Sequence, residues 1–187
     1  MVVWPSGERV KSPERIETDR LLLRRPLMAD AASIFSRYAT DHQVTRYLIW
    51  HTHRTIEHTR TFLRFSDAEW ERWPVGPYLI ESKNDGQLLG GAGLAFESET
   101  AVTVGYVLAR DAWGRGYATE ALRAMVDLVR ELGIPQLSAL CHPSHVASQH
   151  VLEKCGFQRD GLCERYAVFP NLRPDKQDCL RYVRSPV

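Results

Sequence analysis

Three small residues at alternate positions, Gly114, Gly116 and Ala118, are the part of this sequence best suited to hold a phosphate group. They lie between a predicted strand and a predicted helix. Small residues let the backbone approach a ligand closely, and the free N–H groups of a first helical turn attract phosphate oxygens. A tight strand-to-helix turn without any ligand needs the same glycines. The loop therefore predicts either a phosphate site or a plain turn.

Two familiar nucleotide-binding loops do not fit this segment. A P-loop ends in Gly-Lys-Ser/Thr, but here Gly116 is followed by Tyr117 and Ala118. A dinucleotide fingerprint needs a third small residue, where Thr119 stands, and it opens a βαβ unit, whereas the strand before this loop ends a run of hairpins. A domain that binds ATP or NAD therefore stays an alternative, but both mismatches argue against it.

Hydrophobic periods of two and of three to four alternate along the chain, which predicts a mixed α and β domain. The period of two predicts strands over 20–25, 78–82, 88–96, 101–108, 136–142 and 180–184. The longer period predicts helices over 30–38, over 55–71, from the glycine loop to residue 132, and over 144–154. In the fourth predicted strand, one face carries Val102, Val104, Tyr106 and Leu108.

The charge balance argues against a polyanionic partner. The 187 residues include 24 Lys and Arg and 23 Asp and Glu, which gives a net charge of +1, whereas electrostatic binding to nucleic acid or an anionic membrane needs a basic excess. The length predicts a single domain over 16–187, and Pro, Gly and Ser residues without an apolar core predict a loose tail over 1–15. Because no apolar run approaches the roughly 20 residues of a membrane span, and no signal peptide is visible, the sequence predicts a cytoplasmic protein.

Two motifs in the second half of the chain carry a resemblance to a known family. Segment 113–121 (WGRGYATEA) and segment 148–157 (SQHVLEKCGF) together resemble the acyl-CoA-binding core of the GNAT N-acetyltransferase superfamily. The opening ETDRLLLR at 17–24 and the helix over 55–71 resemble its branch of RimJ and RimL ribosomal-protein N-terminal acetyltransferases. The resemblance implies a mixed, mostly antiparallel sheet, flanked by helices and splayed between the fourth and fifth strands, with CoA between them.

The resemblance also implies which residues hold acetyl-CoA, the acyl-donor substrate. The pantetheine arm would pair with backbone of the fourth strand, and the pyrophosphate would sit on amides of the glycine loop. The residues so implied are Val107, Leu108, Ala109, Gly114, Arg115, Gly116, Tyr117, Ala118 and Thr119, together with His145 and Ser148. Glu120 follows directly, and we expect its carboxylate to face away from the ligand because it would compete for the same helix dipole.

Acyl transfer from a thioester to an amine needs a neutral amine, a donor for the oxyanion and a proton for the departing thiolate. The resemblance implies the Leu108 N–H as the oxyanion donor and Ser148 as the hydroxyl near the sulfur. A serine that only bonds a preceding helix carbonyl is the alternative. His145 stands where the family usually has Asn. Three roles stay open for it: a substitute CoA contact, a general base or a helix cap. The candidate general bases are Glu81, His145 and Glu164.

The cysteines, the remaining histidines and the loop before the last strand carry no specific signal for a site. The four cysteines lack C-x-x-C spacing, which predicts reduced thiols without a disulfide frame or zinc site. Four histidines between residues 42 and 58 also lack the ordered spacing of metal ligands, so no metal is predicted. The loop over 170–174 is interpreted as covering the acceptor site or as a plain surface connection.

The sequence therefore predicts an N-acetyltransferase that moves an acetyl group from acetyl-CoA to a primary amine by direct attack on the thioester. The acceptor is either a protein N-terminal α-amine or a small-molecule amine. A non-catalytic module that binds or senses acyl-CoA is the second alternative, favoured by His145 and by the lack of an identified base. Neither nucleic acid nor membrane is a predicted partner, and a homodimer is left open.

Overall fold

One sheet of eight strands forms the centre of the protein in the computed structural model, which describes residues 12–185. In chain order the strands are β1 (Arg15–Glu17), β2 (Leu21–Arg24), β3 (Tyr78–Ser82), β4 (Leu88–Ser98), β5 (Ala101–Leu108), β6 (Gln136–Cys141), β7 (Gln158–Val168) and β8 (Lys176–Arg184). Their order across the sheet is β1-β2-β3-β4-β5-β6-β8-β7. Only the β5–β6 pair is parallel among these strands. The predicted mixed, mostly antiparallel sheet is confirmed.

Five α-helices flank the sheet within the described range. They are α1 (Ala31–Ile34), α2 (His42–Thr45), α3 (Ile56–Arg72), α4 (Tyr117–Glu131) and α5 (Val146–Lys154). Residues of α1, α2 and α3 form a smaller core with Leu79 and Leu88 on one face of the sheet. Helices α4 and α5 contribute to the main core on the other face. None of the helices described between residues 12 and 185 has the length and apolar character to cross a membrane.

Helix α4 is the element that holds the glycine loop against the sheet. Its buried residues recur at spacings of three and four, so one side of the helix packs on the main core. Complete burial of a side chain such as Leu122 or Met125 contributes about 1.5–3 kcal/mol of stability. The helix ends before Gly133, whose φ of 65° is the left-handed conformation that terminates helices. The glycine loop therefore leads directly into a firmly packed helix, as predicted.

Several elements differ from the prediction. The single helix predicted over 30–38 is a 3₁₀ turn (Met28–Asp30), the short helix α1 and a π-helical turn (Phe35–Ala39). Strand β7 was missed because it is an edge strand with mostly exposed, polar residues and therefore lacks a period of two. Strand β1 and helix α2 were also missed, since each spans no more than four residues.

Residues 12–15, which the sequence analysis assigns to the tail, are bonded to the domain in the structure. The Ser12 N–H donates to the Pro74 carbonyl at 3.0 Å, and Arg15 begins β1, which pairs with β2. The remainder of the predicted tail, residues 1–11, lies outside the described residues.

Candidate active site

Strands β5 and β6 diverge along their length and open a gap in the sheet. Their parallel pairing is limited to residues 101–103 of β5 and 136–138 of β6. Beyond this point β5 continues to Leu108 and β6 to Cys141 without further pairing between the two. These are the fourth and fifth predicted strands, so the predicted splay is confirmed. The gap leaves strand backbone with hydrogen-bonding groups that a ligand can satisfy.

The backbone of β5 presents alternate residues to β4 and to the gap. In an antiparallel ladder, one residue exchanges both backbone bonds with its partner and the next residue exchanges neither. The Ala109 N–H donates to the Leu89 carbonyl at 2.7 Å, and the Ala109 carbonyl accepts from the Ala112 N–H at 3.0 Å. Counting back along the register, Val107 also faces β4. Leu108 lies between them and turns its N–H toward the gap.

This alternation separates the three β5 residues that the resemblance implied as CoA contacts. The Val107 backbone and the Ala109 N–H point toward β4, so CoA contacts of these two residues stay a prediction. Leu108 retains the orientation required of an oxyanion donor. Its carbonyl accepts a bond from the indole Nε1–H of Trp113 at 2.8 Å, which holds the end of β5 in place. No sequence pattern pointed to the Trp113 contact.

The loop between β5 and α4 contains two residues in the left-handed conformation. Gly114 has a φ of 74° and Gly116, the N-cap residue of α4, a φ of 80°. Residues with a Cβ rarely adopt this conformation, so the turn itself requires both glycines. The first amides of α4, at Tyr117, Ala118 and Thr119, lack carbonyl partners within the helix. Together with the helix dipole they form a place for an anion, so the turn and the phosphate-site interpretations are compatible.

Arg20 and Glu120 tie this loop to the turn between β1 and β2. The Glu120 carboxylate accepts bonds from Thr18 Oγ1 at 2.6 Å, the Arg20 N–H at 2.8 Å and Arg20 Nε at 2.7 Å. Arg20 Nη1 also donates to the Arg115 carbonyl at 2.9 Å, and its guanidinium lies over the Tyr117 ring. Burial acts to raise the pKa of Glu120, but the bonds from Thr18 and Arg20 outweigh it and lower the pKa. The carboxylate is turned toward the β1–β2 turn, as expected.

Ser148 lies in the first turn of α5, where its side chain is buried. Its hydroxyl oxygen is 2.9 Å from the hydroxyl oxygen of Tyr106, which projects from β5. The pair therefore bridges the gap between β5 and the helix that follows β6. Tyr106 was not among the predicted site residues. The signal that could have identified it is a polar tip among the apolar side chains on the inner face of this strand.

His145 is the N-cap residue of α5 by position, but its side chain makes no capping bond in the described structure. Its ring stacks on Tyr47 with a centroid distance of 4.7 Å and an interplanar angle of 20°. Tyr47 also stacks on His142 at 5.2 Å. Burial, and to a lesser extent the neighbouring His142, lower the pKa of His145. A neutral imidazole near pH 7 follows, which is the protonation state that a general base needs.

The lowered pKa of His145 predicts that the protein loses stability as the pH falls below about 6.5, the usual histidine pKa in an unfolded chain. The unfolded chain, with a histidine pKa near 6.5, binds more protons than the fold in the window between the two pKa values. Stability therefore rises with pH through that window, and the loss is complete below the folded pKa. Urea unfolding at several pH values measures the slope.

His145→Asn is expected to reduce this slope by up to about 1.4 kcal/mol per pH unit, the limit for one proton. His51→Asn is the matched control, because it makes the same substitution at an exposed histidine outside the Tyr47 stack. Equal slopes in the parent protein and His145→Asn would contradict the prediction.

The other two candidate bases are not brought to the gap. Glu81 accepts bonds from Arg24 Nε at 2.9 Å and Nη2 at 2.6 Å, and Arg24 also binds Asp30. Glu81 lies on β3, two strands from β5, which is about 10 Å across the sheet. Glu164 is exposed on the edge strand β7. Of the three candidates, the structure places only His145 next to the helix that carries Ser148.

The loop predicted to cover the acceptor site is joined to the segment that carries the stacked tyrosine. The Asn171 side-chain oxygen accepts bonds from the Thr52 N–H at 2.9 Å and Thr52 Oγ1 at 3.1 Å. Its amide nitrogen donates to the Thr45 carbonyl at 2.7 Å and to the Trp50 carbonyl at 2.9 Å. One side chain thus fixes the end of α2 and the segment after it against the loop before β8.

Two of the four histidines between residues 42 and 58 lie next to threonine hydroxyls. His42 Nδ1 lies 3.2 Å from Thr52 Oγ1, and His53 Nδ1 lies 2.8 Å from Thr59 Oγ1. Within residues 12–185, no group of three or more His, Cys, Asp or Glu side chains is arranged to hold a metal ion. The four cysteines are free, and burial raises the pKa of Cys141 to about 11, so this thiol is protonated near neutral pH.

Comparison with known proteins identifies the family. The acetyltransferase (GNAT) domain matches residues 20–158. YkkB of Bacillus subtilis is 32% identical over 146 residues, which are 76% of this chain and 84% of that protein. YoaA of the same species, described as an uncharacterized N-acetyltransferase, is 28% identical over 154 residues, 81% of this chain and 86% of that protein.

Solved structures share the fold. MccE, the microcin C7 self-immunity acetyltransferase in complex with acetyl-CoA and AMP, has a TM-score of 0.81 at 16% identity and covers 95% of this chain and 99% of its own. RimL, a ribosomal L7/L12 α-N-protein acetyltransferase, has a TM-score of 0.81 at 21% identity, with 92% and 94% covered. The branch suggested by the sequence is thus matched in fold. The chain belongs to the acetyltransferase (GNAT) family and is an N-acetyltransferase.

Proposed function

We propose that this enzyme transfers an acetyl group from acetyl-CoA to a primary amine by direct attack of the amine on the thioester. The observation that carries the proposal is the gap between β5 and β6, where the register turns the Leu108 N–H away from β4 and the loop after β5 leads into the N-terminus of α4. MccE has the same fold and its structure contains acetyl-CoA, which supports acetyl-CoA as the donor.

The donor side of the reaction uses backbone groups. The amides at the start of α4 bind the pyrophosphate, because they carry the positive end of the helix dipole. The Leu108 N–H then stabilises the oxygen of the tetrahedral intermediate, where negative charge develops. A fixed donor of this kind is worth about 10²- to 10³-fold in kcat. Because Trp113 binds the Leu108 carbonyl, this peptide unit keeps its orientation during the reaction.

The acceptor side of the reaction uses the cluster around His145. An amine attacks only in its neutral form, and a neutral imidazole beside the gap accepts its proton directly or through water. The stacked rings of Tyr47 and His142 form the wall next to His145. RimL is described as acting on the α-amine of a ribosomal protein, which supports a protein N-terminal α-amine as the first acceptor to test and a small-molecule amine as the second.

Two measurements test this function. In a thermal-shift panel, acetyl-CoA and CoA should raise the melting temperature, whereas ATP and NAD should not. Release of free thiol from acetyl-CoA is then followed with a library of N-terminal peptides and small amines. A signal with peptides that disappears when their N-terminus is blocked establishes the α-amine. Stabilisation by ATP or NAD but not by CoA species would contradict the proposal.

A further inference from the structure

The contact between Tyr106 and Ser148 joins β5 to α5 in the region where β5 and β6 no longer pair. Tyr106 comes from β5, beyond the last residue pair that β5 shares with β6, and Ser148 comes from the first turn of α5. Their hydroxyl oxygens are 2.9 Å apart, within ordinary hydrogen-bond distance. Ser148 is buried, and Tyr106 packs against the main core. The two side chains therefore have few alternative partners.

The protons available to this pair define two arrangements. Tyr106 Oη lies 2.9 Å from Ser148 Oγ and 3.3 Å from the Ser148 carbonyl oxygen, but the phenol has only one proton. If the phenol donates to the carbonyl, the Ser148 hydroxyl donates back to the phenol. If the phenol donates to Oγ, the Ser148 proton is free to point into the gap. The 2.9 Å separation fits both arrangements, but the 3.3 Å to the carbonyl oxygen is longer than an ordinary O–H···O bond of about 2.5–3.0 Å, which favours the second arrangement.

We propose that Tyr106 is a positioning residue for the thiolate-release step, which directs the Ser148 proton toward the sulfur of the acyl donor. The inference rests on the proposed function, because it assumes that the thioester lies in the gap. It assigns a role in the reaction to a strand residue that the resemblance did not imply. It also explains why Ser148, although in a helix, is bonded to a side chain across the gap.

The chemical step is balanced as follows. The amine nitrogen forms a bond to the carbonyl carbon, the tetrahedral intermediate collapses, and the C–S bond breaks with its electron pair on sulfur. Ser148 Oγ–H donates a hydrogen bond to this sulfur as its charge develops. The single proton lost by the amine nitrogen reaches the sulfur through His145 or solvent, so the products are an amide and the free thiol. Tyr106 gains and loses no proton overall.

The chemistry of Tyr106 suits a fixed donor. Burial raises the pKa of the phenol well above its usual value, so the hydroxyl stays protonated throughout the pH range in which the enzyme can work. A hydroxyl that never ionises holds one hydrogen bond under all these conditions. Its ring is anchored in the core, which restricts the direction in which the hydroxyl points.

A double-mutant cycle tests the proposal. Tyr106→Phe keeps the ring and is expected to lower kcat about tenfold, with the KM for acetyl-CoA changing less than threefold, because one hydrogen bond is lost. Ser148→Ala should lower kcat at least as much. The double variant should be no slower than Ser148→Ala, since Tyr106 acts through Ser148. Tyr166→Phe, at an exposed position on β7, is the matched control and should retain full activity.

A second readout does not need the amine acceptor. The pKa of the CoA thiol bound to the enzyme is measured from the ultraviolet absorbance of its thiolate, with the desulfo-CoA complex as the blank. The pKa of the bound thiol should be lower in the parent protein and in Tyr166→Phe than in Tyr106→Phe and Ser148→Ala. The reason is that the directed Ser148 hydroxyl stabilises the thiolate.

Each outcome decides the proposal. Losses that multiply in the double variant, or a bound-thiol pKa that is the same in all variants, would overturn it. A Tyr106→Phe protein that unfolds earlier but keeps its kcat and its bound-thiol pKa would show a purely structural bridge and would also overturn it. If CoA binds with a lowered thiol pKa but no amine in the library is acetylated, the acceptor class fails while the role of Tyr106 stands.

Discussion

Gly116→Ala is expected to weaken the binding of acetyl-CoA by about ten- to a hundredfold, or 1.4 to 2.7 kcal/mol. Gly116 caps α4 with a φ of 80°, so an alanine here moves the backbone away from the left-handed conformation. The amides that follow then lose their common direction, and hydrogen bonds to a charged phosphate are worth about 1.5–3 kcal/mol each. Isothermal titration with acetyl-CoA measures the loss.

Gly86→Ala is the matched control for this change. Gly86 lies in the β3–β4 turn with a φ of 68°, and a Cβ added there meets no atom within 4 Å. Both substitutions should lower the free energy of unfolding by about 1 kcal/mol, since each forces an alanine into the left-handed region. Only Gly116→Ala should affect acetyl-CoA. Equal affinities in the two variants would show that the loop is a plain turn.

Arg24→Ala is expected to lower the free energy of unfolding by about 2–4 kcal/mol at pH 7. The Arg24 guanidinium lies between Asp30 and Glu81, with hydrogen bonds of 2.6–2.9 Å to the two carboxylates. The three side chains are only 14–24% exposed, so removing the cation leaves two carboxylates that water solvates poorly. Urea unfolding measures the change.

The effect of Arg24→Ala should depend on pH in a defined direction. Burial acts to raise the pKa of Asp30, but the bonds from Arg24 and Leu27 outweigh it and lower the pKa. The stability gained from this pairing is present above the unfolded pKa of about 4 and is lost as the pH falls through the folded pKa. Arg15→Ala, which breaks an exposed ion pair with Glu17, should cost less than 1 kcal/mol. Similar losses in both variants would contradict the prediction.

The glycine loop was predictable from sequence because its requirements are local. Gly114 and Gly116 are needed for two left-handed residues, and the periodic apolar face of α4 follows directly along the chain. The strand pattern of β3, β4 and β5 was equally visible, because each strand alternates or is buried as a run. Because these requirements involve neighbouring residues, they are visible in the sequence. The predicted bounds of α4, β3, β4 and β5 agree with the structure to within a few residues.

The features that escaped prediction depend on pairing between distant segments. Whether Val107 or Leu108 turns its N–H toward the gap depends on the register between β5 and β4, which the bond from Ala109 to Leu89 fixes. The residue types in β5 do not indicate this register. The contact of Tyr106 with Ser148 joins positions 42 residues apart. Glu81 looked like any solvated carboxylate in sequence, and only the fold shows that Arg24 holds it.

The four hydrogen bonds of Asn171 have a consequence for the construction of chimeric proteins. They join the loop before β8 to the end of α2 and the segment that follows it, which lie more than 100 residues earlier in the chain. A chimera that exchanges only one of the two segments would leave the Thr52 N–H and the Thr45 and Trp50 carbonyls without their hydrogen-bond partner. Chimeras between homologues should therefore exchange both segments together, with Asn171 and Thr52 kept as a matched pair.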